Sequence, residues 1–428
     1  MVKQDDKILI VGAGCFGISS AYHLLKRGFT NVTVIDRSDV LPAPDAASTD
    51  INKIVRTSYS DPFYAQLAHE AIQSWKNVEE WGDTYHESGV LVLGSNEAPY
   101  ATDSFANDVE LGARITKLDH GKSIRSVIPS KVEVGPLDGL TGYLNRDGGW
   151  AYAAQGVSRM MERVRSMGGT VLGGKAAKKL LSTGGRTSGI ECADGTIFRA
   201  DLVILATGSW TASSFVELDL DTSCLATGQS VATVKLTPEE ADRYRQCPVI
   251  LDFLSGFYMF PPNDENIMKF AVHAVGYTNY VSGSASTKAV STPRTILSHS
   301  DEGLLIPQTT AKFLRNQLRL IYPELARKPF FSTRLCWYTD SPDGDWMIGF
   351  YRSDPGLMLA TSGSGHAYKF LPVIGRLVAD SIQGTLDAAL VQKFSPGREH
   401  VKVDLSRSHT DITDLTVEQL CTPEDLLP

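Results

Sequence analysis

Residues 7–36 read Lys7-Ile-Leu-Ile-Val11-Gly12-Ala-Gly14-Cys-Phe-Gly17-Ile-Ser-Ser-Ala-Tyr-His-Leu-Leu-Lys-Arg-Gly28-Phe-Thr-Asn-Val32-Thr-Val-Ile-Asp36. A short, unbroken apolar run that ends in glycine fits a buried parallel strand. Apolar residues then recur at helical spacing over 17–27, Gly28 supplies a stop, and a second apolar run from Val32 ends in an acid. Strand, helix and strand together predict a β-α-β unit. The three glycines have separate tasks in it. Gly12 permits the tight turn, Gly14 lets the backbone approach a pyrophosphate, and Gly17 allows the helix to pack closely on the strand. The helix start adds unpaired N–H groups and the positive end of its dipole. Asp36, about 20 residues on, stands where an acid accepts hydrogen bonds from an adenosine ribose. The stretch therefore predicts a dinucleotide-binding domain.

Further along, Asp201-Leu-Val-Ile-Leu-Ala-Thr207-Gly208 is another apolar strand ending in small residues, expected to rejoin the first sheet beside the cofactor. Gly189 to Phe198 reads as a hairpin with Asp194-Gly195 at its turn. Helical spacing recurs over 62–81, 151–167 and 309–321, whereas 223–277 carries alternating β-type patterns broken by Pro261-Pro262. The expected fold is α/β. A Rossmann-type cofactor domain is drawn from 1–85, 145–220 and 330–395. A second, α+β domain on a mainly antiparallel sheet takes 86–144 and 221–329, and 396–428 form a C-terminal extension.

A length of 428 residues and 42% hydrophobic content suffice for two such cores. The formal charge of -8, with no dense Lys/Arg run, argues against nucleic acid or an anionic membrane as partner. No stretch reaches roughly 18 uninterrupted apolar residues, and the polar residues 1–7 lead straight into a strand, unlike a cleaved signal peptide. The six cysteines are scattered singly, with no CxxC pair and no metal-ligand spacing, which points to a reducing compartment and no metal. A monomer acting on a small molecule is the expectation.

Landmarks spread over nearly the whole chain add a family. Beside Gly12 to Asp36 they are Asn52-Lys-Ile-Val-Arg56, Arg146-Asp-Gly-Gly-Trp150, Ala206-Thr-Gly208, Leu335-Cys-Trp-Tyr-Thr-Asp-Ser-Pro342 and Ser362-Gly-Ser-Gly-His-Ala-Tyr-Lys369. In these the chain resembles the sarcosine oxidase family of FAD-dependent amine oxidases, and within it the fungal branch of amadoriases (fructosyl amino acid oxidases), saccharopine oxidases and pipecolate oxidases. The resemblance implies FAD extended across the Rossmann-type domain, an amine at the flavin face under the β-rich domain, and O2 as acceptor, giving hydrogen peroxide.

The resemblance also implies roles. Cys336 would join the flavin 8α-methyl through its sulfur, and Lys269 would activate O2 with a fixed positive charge. Tyr258, His273 and Tyr338 would line the substrate pocket, and Lys369 would pair with a substrate carboxylate. The turn carrying Gly363 and Gly365, with a helix opening at Lys369, would suit the flavin's pyrimidine end. Lys53 and Arg56, three apart, would share one side of the flavin. The residues alone leave plainer readings open: Cys336 as a small buried apolar group, Lys269 as a strand-edge lysine in water, Arg56 in a surface ion pair, and Tyr258 and His273 as structural residues.

Two departures bear on the substrate. Amadoriases typically place glutamate four residues after the oxygen-activating lysine, where this chain has His273, and fructosyl enzymes often carry cysteine where it has Tyr338. The front half, with Asp50-Ile-Asn-Lys-Ile, is nevertheless amadoriase-like. The expected substrate is a secondary amine bearing a carboxylate, such as an N-methyl amino acid, pipecolate or saccharopine. Alternatives are a fructosyl amino acid oxidase, a biosynthetic oxidase whose imine is trapped for ring closure, a flavin-free binding protein, and an NAD-dependent dehydrogenase, which the long insertion before Ala206 disfavours. Many relatives end in a Ser-Lys-Leu-type peroxisomal address; Asp425-Leu-Leu-Pro428 does not match it, so the cytoplasm is expected.

Overall fold

The computed structural model describes every residue except 1, 95, 97, 283–287, 353, 401–405 and 408–410. Its first sheet is six-stranded, in the order Met347–Phe350, Leu357–Thr361, Leu202–Leu205, Ile8–Val11, Val32–Ile35 and Thr170–Leu172. All pairs are parallel except the first, at the edge. The strand Ile8–Val11 lies between Val32–Ile35 and Leu202–Leu205, in register with both from Ile8 onward. Its continuous apolar character follows from burial on two faces. On one face lies a core containing the helices Cys15–Lys26, Ala153–Ser166 and Ile374–Gln383; on the other, Leu9 and Val203 pack with Ile190, Cys192, Phe215 and Leu218. Ile190 and Cys192 come from the expected hairpin, whose strands Arg186–Cys192 and Ile197–Arg199 form a small sheet with Ala177–Thr183.

The second sheet has ten strands and is mainly antiparallel. At its centre the long strand Leu225–Lys235 pairs with Ile267–Val272 on one edge and with Ser332–Asp340 on the other. This corrects the expected boundary at 330. Ser332–Asp340 belongs to the second sheet, and the chain returns to the cofactor sheet only with Met347–Phe350. The region 223–277 also holds a helix, Pro238–Tyr244, started by a Thr237/Glu240 capping box. Between 62 and 81 the helical pattern breaks into Pro62–Trp75 and Val78–Trp81, with Asn77 capping the second.

From Thr413 onward the C-terminal extension packs on the second sheet, whereas Arg398 and His400 bond Asp343 beside the first. Thr413–Asp414 pairs with Tyr277–Thr278, Cys421 is buried in the core under the ten-stranded sheet, and Phe330 N donates to Leu426 O. All six cysteines are free thiols. Among the described residues no helix is long and apolar enough to cross a membrane.

Candidate active site

The ends of Ile8–Val11 and Leu202–Leu205 open onto a long cavity of about 1310 Å³, its mouth included. Gly12 (φ +106) closes the turn there, and a Cβ on it would stand 2.3 Å from Ala206 O. A Cβ on Gly17 would stand 1.8 Å from Gly12 O, the close helix–strand packing expected of the third glycine. Gly14 is the N-cap of Cys15–Lys26 and no side chain caps that end, so its N–H groups face the cavity as an anion site. Asp36 lines the cavity and clamps the turn: Oδ2 accepts from Ala13 N at 2.8 Å and Oδ1 from Ser38 N at 3.0 Å. A carboxylate has further lone pairs for a ribose, so both tasks are compatible.

This cavity suits an adenine dinucleotide. Arg37, ion-paired with Asp45, and Lys175, ion-paired with Asp194, also stand on its wall. Along the neighbouring segment, Asp45 Oδ1, Thr49 Oγ1 and both amide atoms of Asn52 are buried without a protein partner, and buried polar groups of this kind are completed by a ligand or water. Thr207, Gly208, Gly363, Gly365, Lys53 and Tyr338 line the remainder. Gly365 (φ +72) allows Tyr338 to approach, since a Cβ there would meet its ring at 2.3 Å.

Strand alternation assembles the second wall. In Phe257–Met259, Ile267–Val272 and Ser332–Asp340, alternate residues Phe257, Met259, Met268, Phe270, Leu335 and Trp337 enter the domain core. The residues between them, Tyr258, Lys269, Ala271, Cys336 and Tyr338, therefore share the opposite face, and all but Lys269 belong to one apolar cluster there with Trp150 and Tyr143. Lys269 on that face is fully buried and donates to Asp50 Oδ2 and Asn52 O, both at 2.6 Å. Lys53 donates to the same carboxylate oxygen at 3.0 Å and sits 3.5 Å from Cys336 Sγ. Burial would raise Asp50, but the two lysines outweigh it and hold its carboxyl well below the usual range. Burial brings Lys269 down to about 8 despite Asp50, while for Lys53 burial also lowers but Asp50, Cys336 and Tyr338 together outweigh it and the net direction is up. Cys336 is not on the cavity wall itself; it is buried against Lys53, which is.

Tyr258 and Tyr338 hydrogen-bond to each other, and burial pushes both phenols up, Tyr338 to about 12. His273 stands with its ring centroid 6.4 Å from that of Tyr338, and its Nε2 lies 3.1 Å from Ser406 Oγ. Arg407 holds Asp340 at 2.5 and 2.8 Å and lies 5.9 Å from the Tyr338 ring. The extension thus reaches the same pocket, which its polar sequence did not announce.

Lys369 does not open a helix. It sits in a 3-10 turn, Tyr368–Phe370, and the helix begins at Ile374. Its Nζ donates to Tyr59 OH at 2.7 Å and to His366 O at 2.9 Å. Burial, then Arg56 nearby, push its pKa well below the lysine value. Arg56 is buried rather than in a surface ion pair: it donates to Ser58 O and lies 4.6 Å from the Tyr59 ring and 5.4 Å from that of Phe253. Lys53 and Arg56 do not share a partner. Lys53 lines the cavity, whereas Arg56 turns toward Tyr59, Tyr100 and Phe253, the divergence expected of positions three apart on an extended chain. Buried Asp108 accepts from Thr57 Oγ1, Ser58 Oγ and Tyr143 OH and fixes the segment that follows Arg56.

A family model described as FAD dependent oxidoreductase matches residues 7–381. The chain belongs to that family. As a member, it is an FAD-dependent oxidoreductase. Among family relatives, the L-saccharopine oxidase of Schizosaccharomyces pombe is 32% identical over 403 residues, 89% of this chain and 90% of that one. Human peroxisomal sarcosine oxidase is 22% identical over 88% of this chain and 93% of its own. Of solved structures, the deglycating fructosamine oxidase Amadoriase II of Aspergillus fumigatus superposes with a TM-score of 0.84 at 26% identity, covering 98% of both chains.

Sequence reasoning left five participants unassigned. Asp50 and His366 stood within quoted stretches but without their partners, and Tyr59, Ser406 and Arg407 carried no local signal.

Proposed function

We propose that the chain is an FAD-dependent oxidase of a secondary amine that bears a carboxylate, with Arg56 and Lys369 receiving the carboxylate. The observation that carries this reading is Arg56: a buried guanidinium whose partners among the described residues, Ser58 O, Tyr59, Tyr100 and Phe253, are all neutral. A desolvated cation among neutral groups is costly unless an anion completes it. An amino acid supplies that anion at the position that carries the amine.

When bound, FAD accepts the hydride equivalent that leaves the carbon next to nitrogen, and its electrons pass to O2. The protein's part is to hold and prepare. The amine must be neutral to form an imine, and Arg56 and Lys53 disfavour an ammonium nearby. Tyr258, Tyr338 and His273 form the pocket wall in this reading. Asp50 keeps Lys269 in place, and Lys269 is assigned to O2 activation. Cys336 is assigned to a thioether with the flavin: yellow colour should stay with the acid-denatured chain, and Cys336→Ala should release the FAD; free FAD from the native sequence would remove the assignment.

The test of the reading is an amine panel on the purified protein, scoring anaerobic flavin bleaching and aerobic peroxide release. N-methyl amino acids, pipecolate or saccharopine should bleach the flavin fastest. Faster turnover of fructosyl-valine would move the assignment to a fructosyl amino acid oxidase, the second reading, which the overlap with Amadoriase II favours. A colourless protein would end both. A monomeric, cytoplasmic protein belongs to the same proposal, tested by sedimentation and by cell fractionation.

A further inference from the structure

Lys369 ends a chain of hydrogen bonds whose direction can be worked out. His366 Nε2 lies 3.0 Å from Gly344 O, and a carbonyl only accepts, so this nitrogen carries the hydrogen. In the neutral ring Nδ1 is then an acceptor, and Tyr59 OH, 3.1 Å away, donates to it in preference to its longer 3.5 Å contact with His366 O. The Tyr59 oxygen accepts from Lys369 at 2.7 Å. The second acceptor on Nζ is His366 O at 2.9 Å. Two acceptors match the two N–H bonds of an uncharged amine and leave the lone pair as the third direction.

Burial and the two nearby cations favour this count. Lys53, in the strand Asn52–Val55, and Arg56, just after it, are cations; Cys15 on the first helix is held as a thiol, its pKa pushed up to about 12 by burial. Tyr64, on the helix Pro62–Trp75, gives its hydroxyl to Asp345, and Lys393 also takes that carboxylate at 3.0 Å. His366 is stacked on Trp346, 5.4 Å between ring centroids. No carboxylate bonds Lys369 Nζ among the described residues, in contrast to Lys269.

We propose that Lys369 is an uncharged amine in the free enzyme, and that it takes the ammonium proton of the incoming amino acid when the substrate carboxylate arrives beside it. This rests on the carboxylate reading above. An N–H bond of the substrate ammonium breaks, its electron pair stays on the substrate nitrogen, and the net proton goes to the Nζ lone pair. The products are a neutral secondary amine, ready for oxidation, and a lysinium paired with the carboxylate. No electron reaches the cofactor in this exchange. Tyr59 and His366 are positioning residues: they orient Nζ through acceptors and supply no negative charge.

The test uses the FAD-loaded protein and cyclohexanecarboxylate, which has a carboxylate but no amine proton to give. Calorimetric titration in buffers of different ionisation enthalpy reads protons taken up on binding. The expected result is uptake approaching one proton per site at about pH 7.5, by linkage of binding to the Lys369 charge. Lys369→Met should abolish the uptake and weaken binding about tenfold or more, the loss of a charge-assisted pair. Tyr59→Phe should move the pH midpoint of uptake downward, because a lost acceptor disfavours the lysinium, while the flavin spectrum stays unchanged. If the native protein binds without uptake between about pH 6.5 and 9, and Lys369→Met still weakens binding, the uncharged-lysine proposal fails and the carboxylate reading stands. If Lys369→Met binds as tightly as the native protein, the carboxylate reading itself fails. Uptake that persists in Lys369→Met places the proton elsewhere and overturns the proposal.

Discussion

Lys269 and Lys369 are both buried, at 0% and 5% exposure, and both face the region around the cofactor cavity, yet their partners differ in kind. Lys269 has a carboxylate, Asp50, and Lys369 has a phenol and a carbonyl. Burial lowers both, but Asp50 opposes the effect only at Lys269. One lysine thus carries a charge that the protein itself maintains, and the other gains its charge when a ligand brings one. Residue type and burial alone would have made them equivalent; the carboxylate decides the task.

The strongest way to break this comparison is to remove Asp50. Asp50→Ala leaves Lys269 and Lys53 buried without a counter-charge and should destabilise the protein by about 3–5 kcal/mol, read as a lowered denaturant midpoint with unchanged slope. Adding Lys269→Met to that variant should return part of the loss, since the two groups couple directly; strict additivity would mean the pair is not one unit.

Next in size is Lys269→Met alone. Loss of the fixed charge should slow reoxidation by O2 by about 10²–10³, while anaerobic reduction by substrate stays near the native rate. Stopped-flow measurement of both halves decides it, and equal slowing would make Lys269 structural. Smaller again is Lys369→Met, expected to raise KM by about 10–100-fold for amino acids, or about 1.5–3 kcal/mol. The matching amine without a carboxylate should be turned over as before.

The smallest effect is on the acid limb of stability. Asp50 is depressed in the folded state, so its contribution is complete above its unfolded value of about 3.9 and is lost as pH falls below it. Asp50→Asn should flatten stability against pH in that acid window and change nothing in its slope between about pH 6 and 8. An unchanged acid limb would show that Asp50 is not the charged partner of Lys269.

What could be read beforehand divides by distance along the chain. The β-α-β unit was legible because its glycines, apolar runs and acid all act within 30 residues of one another. The helix Pro238–Tyr244 was equally local and went unread, although Thr237-Pro-Glu-Glu240 is a capping box with proline in the first turn. So was the end of the turn at Lys369, because Pro372 disfavours helix in the residue before it. By contrast, nothing local showed Ser332–Asp340 to be a neighbour of Leu225–Lys235, since pairing over such a separation leaves no pattern in either segment. The same holds for Asp50 and Lys269, 219 residues apart, and for Tyr59 and His366, 307 apart. Ser406 and Arg407 were hidden differently: a polar tail looks solvated until something buried accepts its bonds.

A ribosome making this chain releases the strand Ile8–Val11 and its neighbour Val32–Ile35 at once, but Leu202–Leu205 much later and Leu357–Thr361 near the end. Until then one edge of the first strand presents unpaired backbone groups, a template for wrong partners. Ala206 O, against which Gly12 turns, is likewise missing from the early cradle. Capture of the dinucleotide during synthesis must therefore wait for almost the entire polypeptide. Nascent chains stalled before residue 357 should hold no flavin, whereas those stalled with the whole sheet outside the exit tunnel should hold it.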